Sequence, residues 1–302
     1  MGKMNRDEIE WKFRKKRYET YEKKGHCVSC VFLHSIMNRI LMPFFIMDRK
    51  MNHRELKIIK DLRVPTKKPV IFCPTHIGGI DVQLIFEMAH KPCSILLGDP
   101  EEFYTNFIGY MLKLNGWVPM NSKDKYDRTI AMASLGEILK RRGNLIIFPE
   151  GTENVRPSIL LNHLYAGAVK LAITHDAEII PVAFEREKNT YYCAVGKNIS
   201  YTGRSIDDFK TLTNELRDEM ATLKWDIFEQ LPVNSRKDVS EEHFSEYLSQ
   251  LFDVGVEYTM NFDDLKANEF HPKGEAAPDE VFSFMDHIEP RRENAFLFAR
   301  RA

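Results

Sequence analysis

Short apolar runs alternate with longer amphipathic segments through the middle of the chain. The apolar runs have four to seven residues and predict β-strands, whereas the apolar spacing of the segments between them predicts α-helices. The predicted strands are 69–73, 93–98, 117–120, 144–149, 178–184 and 190–195. The predicted helices are 80–90, 103–115, 127–142 and 163–176. This alternation predicts an α/β domain whose mostly parallel central sheet is flanked by helices.

The N-terminal region has a different pattern. Residues 1–25 are charged and compatible with a helix, and residues 27–47 form an almost continuous apolar run. Pro43 is predicted to break a helix within that run. Four polar side chains at helical spacing share one face: His34, Ser35, Asn38 and Arg39. The pattern favours a pair of short amphipathic helices that lie in a membrane interface.

Two alternatives for the apolar run stay open. The run is long enough for a transmembrane span, but an arginine such as Arg39 at the bilayer centre costs about 2.5–3.5 kcal/mol. The second alternative is a core helix of a soluble protein. A signal peptide fits poorly, because five acidic residues precede the run and no small-residue cleavage site follows it.

The pattern of the C-terminal part predicts two helices followed by an irregular segment. Residues 205–231 and 241–259 each predict an amphipathic helix, and 271–280 is rich in turn-forming residues. The chain is therefore divided into a basic N-terminal membrane-anchoring segment (1–64), an α/β domain (65–235) and an acidic C-terminal extension (236–302).

Composition and charge narrow the function classes. Hydrophobic residues make up 43% and charged residues 29% of the 302 residues, which excludes a mainly disordered chain. The net charge of −1 hides a gradient, because residues 1–70 have a net charge of +10 and residues 205–302 one of −11. The basic residues flank an apolar helix and not a row of stacking aromatics. An anionic membrane surface is therefore favoured as partner, and a nucleic acid is not.

The five cysteines suggest neither a disulfide framework nor a metal site. Cys27 and Cys30 form a CxxC next to His26 and His34, but no second pair follows. A zinc site is conceivable, and two buried thiols at helical spacing are favoured. We predict no metal ion and no cofactor.

A histidine and an aspartate follow the first predicted strand of the domain. His76 and Asp81 are five residues apart, so on a regular helix they would point apart. Gly78 and Gly79 lie between them and allow a turn that brings the carboxylate beside the imidazole. Such a pair is typical of a general base with an orienting carboxylate. The alternative is a loop histidine and a helix-capping aspartate.

A second motif follows the most apolar strand. Residues 148–152 read FPEGT, and Pro149 and Gly151 predict a sharp turn that presents Glu150 at the carboxyl end of the strand. Ligands of open α/β sheets bind at that edge. The alternative is an ordinary strand-to-loop turn.

The two motifs together, in this order and about 70 residues apart, resemble those of the glycerolipid acyltransferase family, that is, of the 1-acylglycerol-3-phosphate acyltransferase-like enzymes. His76 and Asp81 match the family's His-x4-Asp motif, residues 148–152 match its Phe-Pro-Glu-Gly-Thr motif, and Ile179–Val182 matches an apolar run that ends in Pro-Val. The resemblance covers about residues 65–200.

Two positions depart from the family pattern. Ser122, followed by Lys123, stands where the second motif usually has an arginine, and Glu153 stands where an arginine often follows FPEGT. The resemblance implies that those arginines bind the phosphate of the acceptor. Other cations could replace them, since a phosphate needs positive charge and donors but no fixed residue. The candidates are Lys123, Lys125, Arg128 and Arg156.

The resemblance implies transfer of a fatty acyl group from acyl-CoA or acyl carrier protein to the hydroxyl of lysophosphatidic acid, in phospholipid biosynthesis. His76 would take the hydroxyl proton and Asp81 would hold the imidazole, while Glu150, Gly151 and Thr152 would shape the acceptor site. Backbone N–H groups near Gly78, Gly79 or Gly151 would stabilise the oxyanion.

The protein would then lie on the cytoplasmic face of a membrane as a peripheral or monotopic enzyme. Three alternatives stay open. The acceptor could be another polyol, sugar or lysolipid. The reaction could be hydrolysis of a thioester or lipid. The chain could also be a catalytically silent membrane-binding module, although the intact His-x4-Asp pair argues against this.

Overall fold

An eight-stranded sheet lies at the centre of the described part of the chain. The computed structural model describes residues 6–28, 30–100, 102–155, 159–231 and 262–273. The strands are β1 (Glu55–Asp61), β2 (Val70–Pro74), β3 (Cys93–Leu97), β4 (Trp117–Pro119), β5 (Asn144–Ile147), β6 (Glu178–Glu187), β7 (Thr190–Val195) and β8 (Ile199–Ser200). Their order is β1-β7-β6-β2-β5-β3-β4, with β8 beside β6. Only β6–β7 and β6–β8 pair antiparallel, so the prediction of a mostly parallel sheet is confirmed.

Helices flank this sheet. They are α1 (Arg6–Lys24), α2 (Val31–Met51), α3 (Asp81–Ala89), α4 (Glu102–Thr105), α5 (Phe107–Leu114), α6 (Lys125–Lys140), α7 (Gly167–His175), α8 (Phe209–Phe228) and α9 (Phe262–Ala267), with a 3₁₀ turn at Ile206–Asp208. The helix predicted over 103–115 is two helices. The Asn106 side chain accepts a hydrogen bond from the Gly109 N–H at 2.8 Å, so Asn106 caps a new helix.

The buried side chains alternate between the two faces of the sheet. Ile71 and Leu145 are register partners and contact the layer that contains α6, α7 and α8. Phe72 and Ile146, one residue further along, contact the layer that contains α3. All four are almost fully buried, and each contributes about 1.5–3 kcal/mol relative to an exposed side chain. Burial on both faces explains why these strands read as continuous apolar runs.

The sequence patterns did not predict β1. Its sequence, ELKIIKD, is half charged, and it pairs only with β7 at the edge of the sheet, where most of its side chains are partly or fully exposed. A strand with so few buried positions lacks the apolar run that marks the central strands. Of the other predictions, the helix over 241–259 and most of the turn-rich stretch over 271–280 lie outside the described residues.

The apolar run folds into one continuous helix, so the prediction of two short helices broken at Pro43 is wrong. Both halves are held to the domain. Asn38, which is buried, bonds to Asn115 and accepts from the Cys93 N–H, and Arg49 forms an ion pair with Glu87 at 2.7 Å. By length and composition α2 could cross a membrane, and it is the one such helix among the described residues.

Polar side chains of α2 contact the domain, and a row of its large apolar side chains faces outward. His34 and Asn38 contact the domain. Six large apolar side chains are exposed along the helix, and we call them the α2 stripe: Phe32, Leu33, Ile40, Phe44, Met47 and Met51. Met42 and Phe45 pack against the core and Arg39 is exposed, so the helix contacts the domain through both apolar and polar side chains.

The CxxC pair is not buried at helical spacing, which corrects the prediction from the sequence. Cys27 is half-buried, and its Sγ donates to the Arg17 carbonyl at 3.3 Å. Cys30 is exposed and precedes the first residue of α2. The pair lies outside any helix because α1 ends at Lys24 and Gly25 turns the chain with a φ of 71°.

Helix α1 is joined to the domain by a buried ion network. Arg17 is bonded to Asp99 at 2.7 Å and to Asp127 at 2.8 Å, and Arg14 is bonded to Asp99 at 2.9 Å. Asp99 follows β3, and Asp127 lies in the first turn of α6, where it also accepts from the Asn121 N–H. These contacts place α1 against the edge where β3 and β4 end.

Candidate active site

His76 and Asp81 are in contact at the carboxyl end of β2. The chain leaves β2 at Pro74, turns through Gly78 and Gly79 with φ values of 70° and 61°, and enters α3 at Asp81. Asp81 Oδ2 lies 2.8 Å from His76 Nδ1. The same oxygen accepts from the N–H groups of Ile77 and Gly78 at 2.9 Å. Asp81 therefore fixes both the turn and the imidazole, with Nε2 left for another partner.

His76 is nearly enclosed by aromatic and acidic groups. Its ring centroid lies 4.3 Å from that of Phe148, and its Nε2 lies 3.8 Å from Glu153 Oε1. Burial by itself would lower the pKa of His76, but the carboxylates of Glu153, Asp81 and Glu150 outweigh burial and raise this pKa to about 9. A pKa near 9 keeps the imidazole charged at neutral pH.

Glu150, in the FPEGT segment, contacts the turn that contains His76. Its side chain is fully buried, and its two oxygens accept from the His76 N–H and the Asn162 N–H, both at 2.9 Å. Burial raises the pKa of Glu150, and the nearby Lys224 and the two N–H groups oppose that rise. Since both oxygens already have backbone partners, the role of Glu150 is to hold the His76 turn against the loop at Asn162.

The rest of the FPEGT segment is held by contacts with Tyr165 and Glu153. Gly151 has a φ of 75°, and a Cβ there would lie 2.5 Å from the ring of Tyr165, so this turn requires glycine. The Tyr165 N–H donates to the Pro149 carbonyl at 2.8 Å, which explains why the helix predicted over 163–176 begins only at Gly167. Thr152 is buried, and its hydroxyl lies 3.4 Å from Glu153 Oε2.

Glu153 lies in the site although no motif pattern selected it as a site residue. Its side chain is 11% exposed, and the Asn154 N–H that follows it donates to the His76 carbonyl at 3.1 Å. The signal in the sequence was its position directly after FPEGT, where an arginine often stands in the family it resembles. The structure brings this carboxylate to the side of the imidazole opposite Asp81.

The predicted phosphate-binding cations lie apart from this pair. Lys123, Lys125 and Arg128 are exposed on the loop after β4 and the start of α6. They share the carboxyl edge of the sheet with His76, and Arg128 is near enough to Tyr165, whose ring lies against Gly151, to oppose the rise that burial causes in the pKa of Tyr165. Arg156 lies outside the described residues. Among the described residues, no group of three or more His, Cys, Asp or Glu side chains could hold a metal ion.

Comparisons with known proteins agree with the motifs. The family model described as Acyltransferase matches residues 33–185. The chain is 23% identical over 118 residues to a 1-acyl-sn-glycerol-3-phosphate acyltransferase of Chlamydomonas reinhardtii, covering 39% of this chain and 34% of that protein. It is 26% identical over 173 residues to a Caenorhabditis elegans protein named for the same activity, covering 57% of this chain and 61% of that protein. The chain thus spans between one third and three fifths of these relatives' lengths.

A solved structure shows the same fold. The crystal structure of the 1-acyl-sn-glycerophosphate acyltransferase PlsC from Thermotoga maritima superposes with a TM-score of 0.51 at 14% identity. The superposition covers 66% of this chain and 81% of that protein. The likeness supports the α/β architecture described above.

Proposed function

The chain belongs to the acyltransferase family, and on that premise we propose that it moves a fatty acyl group from an acyl thioester to the free hydroxyl of a lysophosphatidic acid-type acceptor. The donor would be acyl-CoA or acyl carrier protein. The observation that supports this most directly is the 2.8 Å contact between His76 Nδ1 and Asp81, which leaves Nε2 on the side of Glu153, beside the FPEGT turn.

In the proposed reaction His76 acts as general base. With Nδ1–H donating to Asp81, Nε2 of the neutral ring accepts the proton of the acceptor hydroxyl as its oxygen attacks the thioester carbon. The carbon–sulfur bond then breaks, and the proton passes from His76 to the leaving sulfur. The acceptor's own hydroxyl is the nucleophile, so no enzyme-bound ester is needed.

The oxyanion formed on the thioester oxygen needs donors. Of the three glycines considered from the sequence, Gly78 donates its N–H to Asp81 and Gly151 donates to the Phe148 carbonyl. Gly79 is the one of the three whose N–H has no acceptor among the described residues. We therefore assign the Gly79 N–H to the oxyanion.

The test is product analysis with a labelled acyl-CoA and a mixture of lysophospholipids. Mass spectrometry that finds label in the acylated acceptor supports transfer, whereas label in free fatty acid alone indicates hydrolysis. Recovery of neither product from folded protein would contradict the proposal.

The activity should depend on pH through His76. The base is the neutral imidazole, so kcat/KM should rise with pH and level off near pH 9. Glu153 is the largest cause of the raised pKa, and Glu153→Gln should therefore move the rising limb to lower pH, whereas the exposed Glu219→Gln should leave it in place. A limb that is unchanged in Glu153→Gln would contradict this assignment.

The same raised pKa affects stability. The folded-state pKa of His76 exceeds the unfolded value of about 6.5. The pairing of His76 with its carboxylates therefore stabilises the fold fully below about pH 6.5, and that contribution is lost as the pH rises through about 9.

We further propose that the α2 stripe lies in the cytoplasmic leaflet of a membrane. Phe32 and Met51, near its two ends, are 73% and 70% exposed, and the last turn of α1, shortly before α2 in the chain, has Lys23 and Lys24. Apolar residues placed in lipid and cations near anionic head groups both favour binding, the cations by about 1 kcal/mol each. The protein would thus be peripheral or monotopic, with residues 1–64 as its anchoring segment.

Replacing Phe32, Ile40 and Phe44 together with serine should lower partitioning onto vesicles at least a hundredfold. Each buried apolar side chain contributes about 1.5–3 kcal/mol to such binding. Flotation with anionic vesicles measures the change. The matched control is Trp225→Ser with Phe228→Ser, which removes exposed aromatic side chains from α8 on the other face of the sheet. Equal flotation of the triple variant and wild type would contradict the proposal.

A further inference from the structure

Glu153 occupies the side of His76 that an acceptor would approach. Asp81 takes Nδ1, so the acceptor hydroxyl must come within about 3 Å of Nε2 for its proton to be removed. Glu153 Oε1 is already 3.8 Å from that nitrogen. A carboxylate at this place would therefore lie beside both the reacting hydroxyl and the groups on the neighbouring carbon of the acceptor.

Described cations offset the negative charge around His76 only in part, through the effect of Lys224 on Glu150. Three carboxylates surround the imidazole: Asp81, Glu150 and Glu153. The buried Lys224 pairs with Glu185 at 3.4 Å, and Arg217 donates to the carbonyls of Leu161 and Asn162. The exposed cations Lys123, Lys125 and Arg128 lie on the loop after β4 and at the start of α6, and none is among the main groups that shift the pKa of His76.

This environment discriminates between kinds of phosphate. The monoester of lysophosphatidic acid has a charge of about −1.5 to −2 at pH 7, by analogy with other phosphate monoesters, and lies on the carbon next to the reacting hydroxyl. A phosphodiester has one negative charge, and its head group can bring hydroxyl or ammonium donors. Glu153 repels the first more strongly and can accept hydrogen bonds from the second, as can the Thr152 hydroxyl beside it.

We propose that Glu153 is a specificity-determining residue that selects lysophospholipids whose phosphate is a diester with a donor-bearing head group over lysophosphatidic acid itself. The inference rests on the proposed function, because it requires His76 to be the base that meets the acceptor. It narrows the acceptor within the lysophosphatidic acid type, since all these molecules share the glycerol backbone and its free hydroxyl.

The experiment is a competition among three acceptors with the same acyl chain, using the full chain in detergent and labelled acyl-CoA. The acceptors are lysophosphatidic acid, lysophosphatidylglycerol with hydroxyl donors, and lysophosphatidylethanolamine with an ammonium donor. We expect wild type to form at least ten times more diester product than phosphatidic acid. The ratio between the two diester products identifies which donor Glu153 accepts from.

Two variants assign the preference to Glu153. Glu153→Gln, which keeps the size of the side chain, should lower the diester preference several-fold, and Glu153→Arg should shift the ratio at least tenfold towards lysophosphatidic acid. Glu219→Arg, an equal charge change on the exposed side of α8, should leave the ratio as in wild type.

The outcomes separate this inference from the proposed function. A wild-type preference for lysophosphatidic acid overturns the inference, as does a diester preference that neither variant at position 153 changes. Absence of acylated product from all three acceptors, with a normal thermal unfolding transition, overturns the proposed function. If Glu153→Arg does not fold, the product ratios of wild type and of Glu153→Gln still test the inference.

Discussion

Replacing His76 with glutamine should lower acyl transfer by about a thousandfold or more, since general-base catalysis by a positioned side chain contributes about 10²–10⁴-fold. Glutamine can keep the hydrogen bond to Asp81 but cannot accept a proton from the acceptor hydroxyl at a useful rate. The fold should survive, because the main-chain N–H of residue 76, which donates to Glu150, is unchanged. Steady-state release of thiol from acyl-CoA in the presence of lysophospholipid measures the loss.

The matched control is His90→Asn at the other end of α3. His90 is exposed and has a φ of 50°, a conformation that asparagine tolerates. Its activity should equal that of wild type. Turnover by His76→Gln within tenfold of wild type, in protein with a normal unfolding transition, would rule out His76 as the base.

Replacing Glu150 with alanine should lower both stability and activity. The change leaves the buried N–H groups of His76 and Asn162 without acceptors, at about 1–3 kcal/mol each. We therefore expect the free energy of unfolding to fall by about 2–6 kcal/mol. The turn at His76 also loses its support, and a displacement near 1 Å can cost about a hundredfold in rate.

Denaturant unfolding and kcat measure the two effects of Glu150→Ala. Glu150→Gln retains one acceptor oxygen and should lie between alanine and wild type in both. Glu137→Ala removes a partly exposed carboxylate that pairs with Arg141 one helical turn away, and should change little. A Glu150→Ala protein that is as stable and active as wild type would show that the two loops are held by other contacts.

The central features of the site follow from local sequence. On a regular helix the side chains of His76 and Asp81 would point in different directions. The two glycines between them allow the turn that brings them into contact. The short apolar strands place both motifs at the same edge, because parallel strands end together. These inferences needed only spacing, backbone freedom and strand direction.

Other features depend on tertiary contacts that spacing does not encode. Pro43 does not break α2, since contacts of Asn38 and Arg49 hold both sides of it. The place of Glu153 against Nε2 results from the turn after Gly151, whose direction is set by the Tyr165 ring and the Pro149 carbonyl. The edge strand β1 has no apolar run in its sequence, because each of its side chains is partly or fully exposed.

The Arg17 network determines what a truncation of the N-terminal region would do. Asp99 and Asp127 have 4% and 0% of their side chains exposed, so their charges depend on Arg17 and Arg14 for compensation. Removing one partner of a buried ion pair costs about 3–5 kcal/mol. A truncated chain that starts after α1 would therefore be prone to misfold. If it failed to sediment with liposomes, the cause could be damage to the α/β domain as well as loss of a membrane contact. Point changes on α2 leave this network intact and separate the two effects.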